Sequence, residues 1–158
     1  MSCCDVKSPT ATTPEQCSSC GDVGTQVDAI TLKALLTSDA LRRGIPDAPR
    51  FCATEGCQIV YFDSDAGVNF TEVELTVRVH AKHPTDDGVQ VCYCFDYTPS
   101  TIEAEIARSG SRSARATITA EVQAGHCACE VRNPKGSCCL GDVARVEARV
   151  QQLTHVEG

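Results

Sequence analysis

The alternation of apolar and polar residues is clearest over residues 72–80, EVELTVRVH. One face of this segment carries four apolar residues, Val73, Leu75, Val77 and Val79. A period of two predicts a half-buried strand of an antiparallel sheet. The preceding stretch 50–63, RFCATEGCQIVYFD, predicts strand, loop and strand, and Gly67 and Asn69 are typical of a turn. The first half of the chain is therefore predicted to be rich in β-structure.

Helical spacing of apolar residues dominates the second half. Thr98 can cap a helix, Pro99 suits the first helical position and Gly110 fits the end. The segment 117–125, TITAEVQAG, predicts a second short helix. A final helix has an apolar face formed by Val143, Val146, Val150 and Leu153. In the first half, 31–37 (TLKALLT) predicts one short amphipathic helix. These elements indicate an α+β fold.

Three regions follow from these patterns. Residues 1–15 are rich in Ser, Thr and Pro without periodicity, which is typical of a flexible tail. The polar turn HPTDDG at 83–88 predicts a domain boundary. We therefore expect a β-rich domain over 16–85 and a helical domain over 86–158.

Composition indicates that this fold needs an additional source of stability. Of the 158 residues 42% are hydrophobic, but only 4% are aromatic and none is Trp. Small domains with thin cores are usually held by disulfides or a metal. The chain has 12 cysteines, at positions 3, 4, 17, 20, 52, 57, 92, 94, 127, 129, 138 and 139.

Charge and hydropathy argue against some classes of function. The net charge of −7 argues against a nucleic-acid partner. The sequence contains no run of eighteen apolar residues, so membrane insertion is not expected. The stretch 1–16 lacks the apolar core of a secretory signal, so we expect a cytoplasmic protein. Thiols stay reduced there, and grouped cysteines bind metals more often than they form disulfides. The alternative is a disulfide-stapled secreted fragment, which the even cysteine count would fit.

The first group of cysteines has the spacing of a structural zinc site. It comprises two close pairs in the β-rich half, Cys17, Cys20, Cys52 and Cys57. Gly21 and Gly56 permit the tight turns that let both sulfurs of a pair reach one ion. Four thiolates around Zn²⁺ form a closed tetrahedral site whose binding energy contributes to folding. The alternative is four buried free cysteines.

The second group begins with the stretch VCYC. Cys92 and Cys94 can supply two thiolates from one short loop, directly before the helix predicted to begin at Pro99. Free N–H groups at a helix start stabilise an anionic iron–sulfur cluster. The other two ligands must come from the segment 125–142, which contains Cys127, Cys129, Cys138 and Cys139. Spacing alone does not choose between these four.

These motifs resemble a known family. FC…C before the IVYF strand, VCYC, and a cysteine followed by an NP-x-G loop and a cysteine pair resemble the iron–sulfur and zinc domain of CopZ-type copper chaperones. Stand-alone iron–sulfur cluster-binding metallochaperones share them, and the second half is similar to bacterioferritin-associated ferredoxin. The resemblance covers roughly residues 15–145. The chaperones continue into a domain with an M-x-C-x-x-C copper loop, which these 158 residues do not contain.

The resemblance implies a ligand set for each site. Zinc would be bound by Cys17, Cys20, Cys52 and Cys57. A 2Fe–2S cluster would be bound by Cys92, Cys94, Cys129 and Cys139, with Cys138 as the alternative to Cys139. Cys127 has no counterpart in this pattern.

Other candidates carry less chemistry. Cys3 and Cys4 could capture Cu⁺ or another soft ion, or could be thiols of the tail without a specific role. His126 could replace a cysteine at the cluster, but an exposed histidine that only tunes the cluster is the preferred interpretation. His80 and His83 are expected at the surface. No pair of acid and base or catalytic triad indicates an enzyme.

The expected function is a 2Fe–2S- and zinc-binding metallochaperone for soft metals such as copper, with the cluster transferring single electrons. Its expected partners are a soft metal ion such as Cu⁺ and a protein such as a metal-transport ATPase or a reductase. The alternative is a ferredoxin-like electron-transfer partner of a reductase that delivers no metal.

Overall fold

The computed structural model describes residues 15–156, with side chains to residue 153. Cys3 and Cys4 therefore lie outside the described residues. The described elements are, in chain order, β1 Thr25–Gln26, α1 Ala29–Leu35, α2 Ser38–Leu41, β2 Arg50–Phe51, β3 Ile59–Asp63, β4 Val68–Thr71, α3 Pro99–Ser109, α4 Ala114–Gln123, α5 Cys129–Arg132 and α6 Leu140–Val156. This mixture of helices and antiparallel sheet confirms the predicted α+β class. None of the helices in the described range is long and apolar enough to cross a membrane.

The four strands form one antiparallel sheet in the order β1–β2–β3–β4. Strand β3 is buried along its whole length, because it lies between β2 and β4 and its sequence IVYFD has no solvent-facing side. The residues of its core include Tyr61 and Phe70, both fully buried. Asp28 caps α1 by accepting a hydrogen bond from the Ile30 amide at 2.9 Å. Helix α1 then packs its buried Leu32 into the same core.

A separate core joins the helices of the second half. Its buried residues are Val91, Cys92, Ile102, Ile106, Ala114, Ile118, Cys129, Cys139, Val143, Val146 and Val150. Helix α3 begins and ends as predicted, with Thr98 as its cap, Pro99 in its first turn and Gly110 in the left-handed conformation that ends it. Two of the cysteines in this core, Cys92 and Cys139, are thus held by packing as well as by local structure.

The predicted strand over 72–80 is wrong. Its residues begin with a 3-10 turn at Glu72–Glu74 and then run irregularly, so Val73 is 87% exposed while Leu75 is 7% exposed. A carboxylate in the segment takes an amide that a sheet partner would need: Glu72 accepts from the Val79 amide at 2.9 Å. The strand lies just upstream, at β4, and includes Asn69, which was predicted to be in a turn.

Smaller differences concern the helices and His80. Helix α4 begins three residues before the predicted 117, and the short helices α2 and α5 were not predicted. In α6, Val143, Val146 and Val150 are buried as expected, but Leu153 is 62% exposed because nothing packs over the last turn described. His80 is not a surface residue: its Nδ1 is buried and has no hydrogen-bond partner among the described residues, and burial lowers its pKa.

The two cores meet at the loop before α6. The Tyr61 hydroxyl, from β3, donates a hydrogen bond to the Pro134 carbonyl at 2.5 Å. The Thr31 hydroxyl, from α1, donates one to the Glu130 carbonyl at 2.5 Å. Strand β3 and helix α1 therefore support the segment that lies between Cys129 and Cys139. The predicted domain boundary at 83–88 stays a prediction.

Candidate metal centres

The four cysteines predicted to bind zinc come together. The sulfur atoms of Cys17, Cys20, Cys52 and Cys57 all lie within 4.8 Å of one another. Cys17 Sγ and Cys57 Sγ are 3.8 Å apart, and Cys20 Sγ and Cys52 Sγ are 3.7 Å apart. Tetrahedral zinc at about 2.3 Å from each thiolate sets sulfur–sulfur distances of about 3.8 Å. The arrangement therefore fits one zinc ion.

Tight turns and the sheet position these sulfurs. Gly21 and Gly56 both have positive φ, of 77° and 82°, as the turns directly after Cys20 and directly before Cys57 require. The Cys17 amide donates to the Asp22 carbonyl at 2.8 Å, which closes the first turn. Cys52 directly follows β2, and its amide donates to the Val60 carbonyl of β3 at 2.8 Å. One cysteine pair is thus held by a turn and the other by the sheet.

The surroundings of this site shift the pKa values of its cysteines in different directions. Burial raises the pKa of Cys17 to about 12. At Cys20 burial acts in the same direction, but hydrogen bonding with the Thr54 side chain and the Asp22 backbone outweighs it and lowers the pKa to about 7. Because a metal binds thiolates, occupation of the site must release protons, and its affinity falls as the pH falls.

Lys82 is a residue of this site that the sequence did not indicate. Its ammonium lies 3.5 Å from Cys52 Sγ and donates to the Thr54 carbonyl at 3.0 Å. The residue is only 8% exposed, although it belongs to a polar turn. A single lysine in a turn carries no signal that separates it from solvated lysines, so sequence reasoning had no means of finding it.

The second group also converges, but more loosely, because within the described residues only the first group has all its sulfur atoms within 4.8 Å of one another. Cys94 Sγ and Cys129 Sγ are 3.6 Å apart, and the Cys139 thiol interacts with those of both Cys92 and Cys129. A cluster with two irons holds its ligand pairs at opposite ends, so its four thiolates lie further apart than those around one ion. The looser set is compatible with that geometry. All ten cysteines in the described part of the chain are free thiols, which gives the disulfide alternative no support there.

Backbone amides point at the sulfurs of this second group. The Ala128 amide donates to Cys94 Sγ at 3.2 Å. Amides of the C-x-C loop donate to Cys92 Sγ, and the Cys139 amide donates to Cys129 Sγ. Such donors stabilise negative charge on sulfur and tune the potential of a cluster. The donors come from the loop, from the start of α5 and from the residue before α6.

Helix α3 does not supply donors as expected. Its first residue is Pro99, which has no amide hydrogen, and the next two amides are used elsewhere. The Ser100 amide donates to the Asp87 carbonyl at 3.2 Å, and the Thr101 amide donates to the Thr98 hydroxyl at 3.1 Å. The expectation that free N–H groups at the start of this helix would donate to a cluster is therefore wrong. The C-x-C loop is shaped instead by a tight turn in which Asp96 adopts φ 59°.

Proton affinities differ across the second group. The hydrogen bond from Cys139 lowers the pKa of Cys92 to about 7 and that of Cys129 to about 6. Being that shared donor raises the pKa of Cys139, and burial raises the pKa of Cys94 to about 11. Because a metal group binds thiolates, occupation of this site must release the proton of Cys139.

The remaining candidates lie apart from these contacts. Cys138 is exposed, whereas its neighbour Cys139 is 1% exposed. Cys127 is partly buried and packs against the helical core. His126 is exposed, and its Nδ1 lies 2.5 Å from Glu121 Oε2. His83 pairs with Glu72 at 2.6 Å.

Comparisons with known proteins agree with the fold and the four-cysteine site. A family model of the CopZ type, described as “Zinc binding domain”, matches residues 14–76. Over these residues the chain is similar to that zinc-binding domain family.

The relatives extend the likeness into the helical half. The chain is 30% identical over 131 residues to “Copper chaperone CopZ” of Archaeoglobus fulgidus, a match that covers 83% of this chain and 61% of the relative. The solved structure of the N-terminal domain of that protein matches with a TM-score of 0.66 at 28% identity, over 83% of this chain and 96% of that chain. The chain is homologous to this N-terminal domain. It thus spans 61% of the length of the whole relative.

Proposed function

We propose that the protein binds one zinc ion and one 2Fe–2S cluster and acts in the handling of a soft metal such as copper. The observation that carries this proposal is the convergence of two separate sets of four thiols, one compact and one looser. Zinc would be held by Cys17, Cys20, Cys52 and Cys57, and the cluster by Cys92, Cys94, Cys129 and Cys139.

The zinc site would have a structural role. Four protein ligands leave no open position for a substrate, and zinc has no redox chemistry. Its ligands join the turn at Cys17 and Cys20 to the strand region at Cys52 and Cys57. Bound zinc would therefore hold the sheet against the N-terminal turn and contribute to folding stability.

The cluster site would serve electron transfer. When bound, a 2Fe–2S cluster supplies one-electron chemistry. The amides of Ala128 and Cys139 fix the orientation of the Cys94 and Cys129 sulfurs and stabilise their negative charge. Burial of Cys92, Cys129 and Cys139 limits the access of water to three of the four ligands. A reducing compartment such as the cytoplasm would keep all four available.

Soft-metal handling is supported by the homology to a protein named a copper chaperone. The proposed cargo is Cu⁺ or a similar ion, and the proposed protein partner is a metal-transport ATPase or a reductase. The second candidate function is electron transfer to a reductase without metal delivery, which the net charge of −7 favours because it suits a basic partner.

Metal analysis with an EPR spectrum of the dithionite-reduced protein tests the metal content. One zinc and two irons per chain, with the signal of a reduced 2Fe–2S cluster, are expected. A colourless protein with zinc in both sites would overturn the iron–sulfur assignment. Titration with Cu⁺ under anaerobic conditions then separates the two functions, because uptake beyond zinc and iron is expected only of a metallochaperone.

A further inference from the structure

Lys82 is a buried lysine whose charge has no carboxylate partner within the described part of the chain. Its ammonium contacts Cys52 Sγ at 3.5 Å and the Thr54 carbonyl at 3.0 Å. Burying an unpaired ammonium is costly, so the thiolate is the counter-charge that this position offers. Four thiolates around Zn²⁺ leave two negative charges in excess, and Lys82 compensates one of them.

Tyr93 is the central residue of the C-x-C motif, and its side chain contacts the backbone a few residues before Lys82. It is 8% exposed. Its hydroxyl donates to the Arg78 carbonyl at 2.5 Å and accepts from the His80 amide at 3.1 Å. The side chain between Cys92 and Cys94 is therefore fixed to the backbone of residues 78–80.

A compact turn connects these two contacts. Residues His80–Lys82 form a 3-10 turn, in which the Lys82 amide donates to the Val79 carbonyl at 3.0 Å. Val79, at its start, is 1% exposed in the core of the sheet. Because no flexible loop separates them, a displacement of Lys82 also moves the backbone groups of Arg78 and His80 that bind the Tyr93 hydroxyl.

We propose that residues 78–82 form a strut that couples the two metal centres, with Lys82 positioning the zinc thiolates and Tyr93 positioning the C-x-C loop. This inference rests on the proposed function, because it requires that both sites bind metal. Loss of zinc deprives Lys82 of its counter-charge, releases the turn and loosens the loop that holds Cys92 and Cys94. Zinc occupancy thereby controls how firmly the cluster is retained.

The zinc end is tested by competition with a chelator. Lys82→Met removes the charge and keeps the length of the side chain, and it is expected to weaken zinc binding by about 10- to 100-fold, as is usual for groups that support metal ligands. Lys33→Met is the matched control, since Lys33 is exposed on α1. Unchanged zinc affinity in Lys82→Met would overturn the strut. If Lys82→Met does not fold, Lys82→Gln, which keeps a donor for the Thr54 carbonyl, provides the same comparison.

The cluster end is tested by the rate at which visible absorbance is lost under a ferrous chelator. Tyr93→Phe removes both hydrogen bonds and keeps the ring, and it is expected to speed cluster loss about tenfold. Tyr97→Phe is the control, because the Tyr97 hydroxyl lies 3.4 Å from Glu105 and outside the strut. Equal rates in Tyr93→Phe and the wild type would contradict the proposal.

Coupling itself is measured by a cycle of zinc removal and mutation. Stripping zinc from the wild type is expected to speed cluster loss about as much as Tyr93→Phe does, and stripping it from Tyr93→Phe is expected to add little. Fully additive effects would mean that the two sites are independent. A wild-type protein that contains no iron or no zinc would instead refute the proposed function, so the two failures are distinguishable.

Discussion

Cys138 and Cys139 are neighbours in the chain with opposite surroundings. Cys139 is 1% exposed and interacts with two other thiols, while Cys138 is exposed. Cys139 lies where the chain enters α6, and the Val143 amide donates to its carbonyl at 2.9 Å. The helical core therefore fixes the direction of the Cys139 side chain and turns that of Cys138 outwards. Sequence spacing alone does not show which of the two is a ligand, because the direction of each side chain depends on packing.

Serine substitutions at these two positions separate them. Cys139→Ser is expected to abolish the EPR signal of the reduced cluster and to lower the iron content, because serine is a poor ligand for this site. Cys138→Ser is the matched control and is expected to keep both. Iron analysis and EPR of the two purified variants give the answer. Loss of iron in Cys138→Ser with retention in Cys139→Ser would reverse the assignment.

At the scale of elements, predictions succeeded where a local cause fixes the structure. Helix α3 has its cap, its proline and its terminal glycine within its own sequence, so its bounds followed from residues 98–110 alone. The strand predicted over 72–80 was wrong because the segment has the period of a strand but its amides donate to other groups instead of to a neighbouring strand. The Val79 amide, for example, donates to the Glu72 carboxylate at 2.9 Å. Periodicity does not reveal such a competing side chain.

Substitutions of two glycines, one at the end of α3 and one in the first turn of α6, test how local sequence fixes the helix ends. Gly110 ends α3 with φ 74° and open space around it, so Gly110→Ala adds only backbone strain and is expected to cost about 1 kcal/mol. Gly141 lies in the first turn of α6, also in open space, and Gly141→Ala is expected to stabilise by roughly 0.5–1 kcal/mol. Urea unfolding of the metal-loaded variants measures both. Equal effects of the two changes would contradict the role of the left-handed cap.

At the scale of the whole molecule, the two cores are tied by hydrogen bonds that no motif indicates. Tyr61 is fully buried in the sheet, yet its hydroxyl reaches the Pro134 carbonyl, 73 residues away in the chain. The zinc ligands could be assigned from spacing because each pair is local. The contact between the sheet and the loop before Cys139 could not be assigned, because it depends on how the finished halves pack.

Removing this contact is expected to weaken the whole fold. Tyr61→Phe leaves the buried Pro134 carbonyl without its donor, which costs about 1–3 kcal/mol of unfolding free energy. Urea denaturation with both metals bound measures the loss. Tyr97→Phe, whose hydroxyl is only partly buried, is expected to lose less than about 1 kcal/mol. A Tyr61→Phe protein as stable as the wild type would mean that the contact does not join the cores.

Net charge provides the last prediction, which bears on the choice between the two functions. Two exposed carboxylates lie close in the chain to candidate cluster ligands: Asp96 is two residues after Cys94, and Glu130 directly follows Cys129, within a protein of net charge −7. Opposite charges speed encounter and salt screens them. Electron transfer from the reduced protein to a basic acceptor such as cytochrome c is therefore expected to slow as salt rises.

Anionic ferricyanide is the matched acceptor, and its reduction is expected to speed up with salt because screening removes a repulsion. Asp96→Asn and Glu130→Gln each remove one charge near the ligands and are expected to flatten both dependences without changing the iron content. Stopped-flow rates between low and physiological salt measure them. If both acceptors respond to salt alike, the acidic surface does not guide docking. The support for a purely electron-transferring role would then be lost, and the homology to a copper chaperone would favour soft-metal handling.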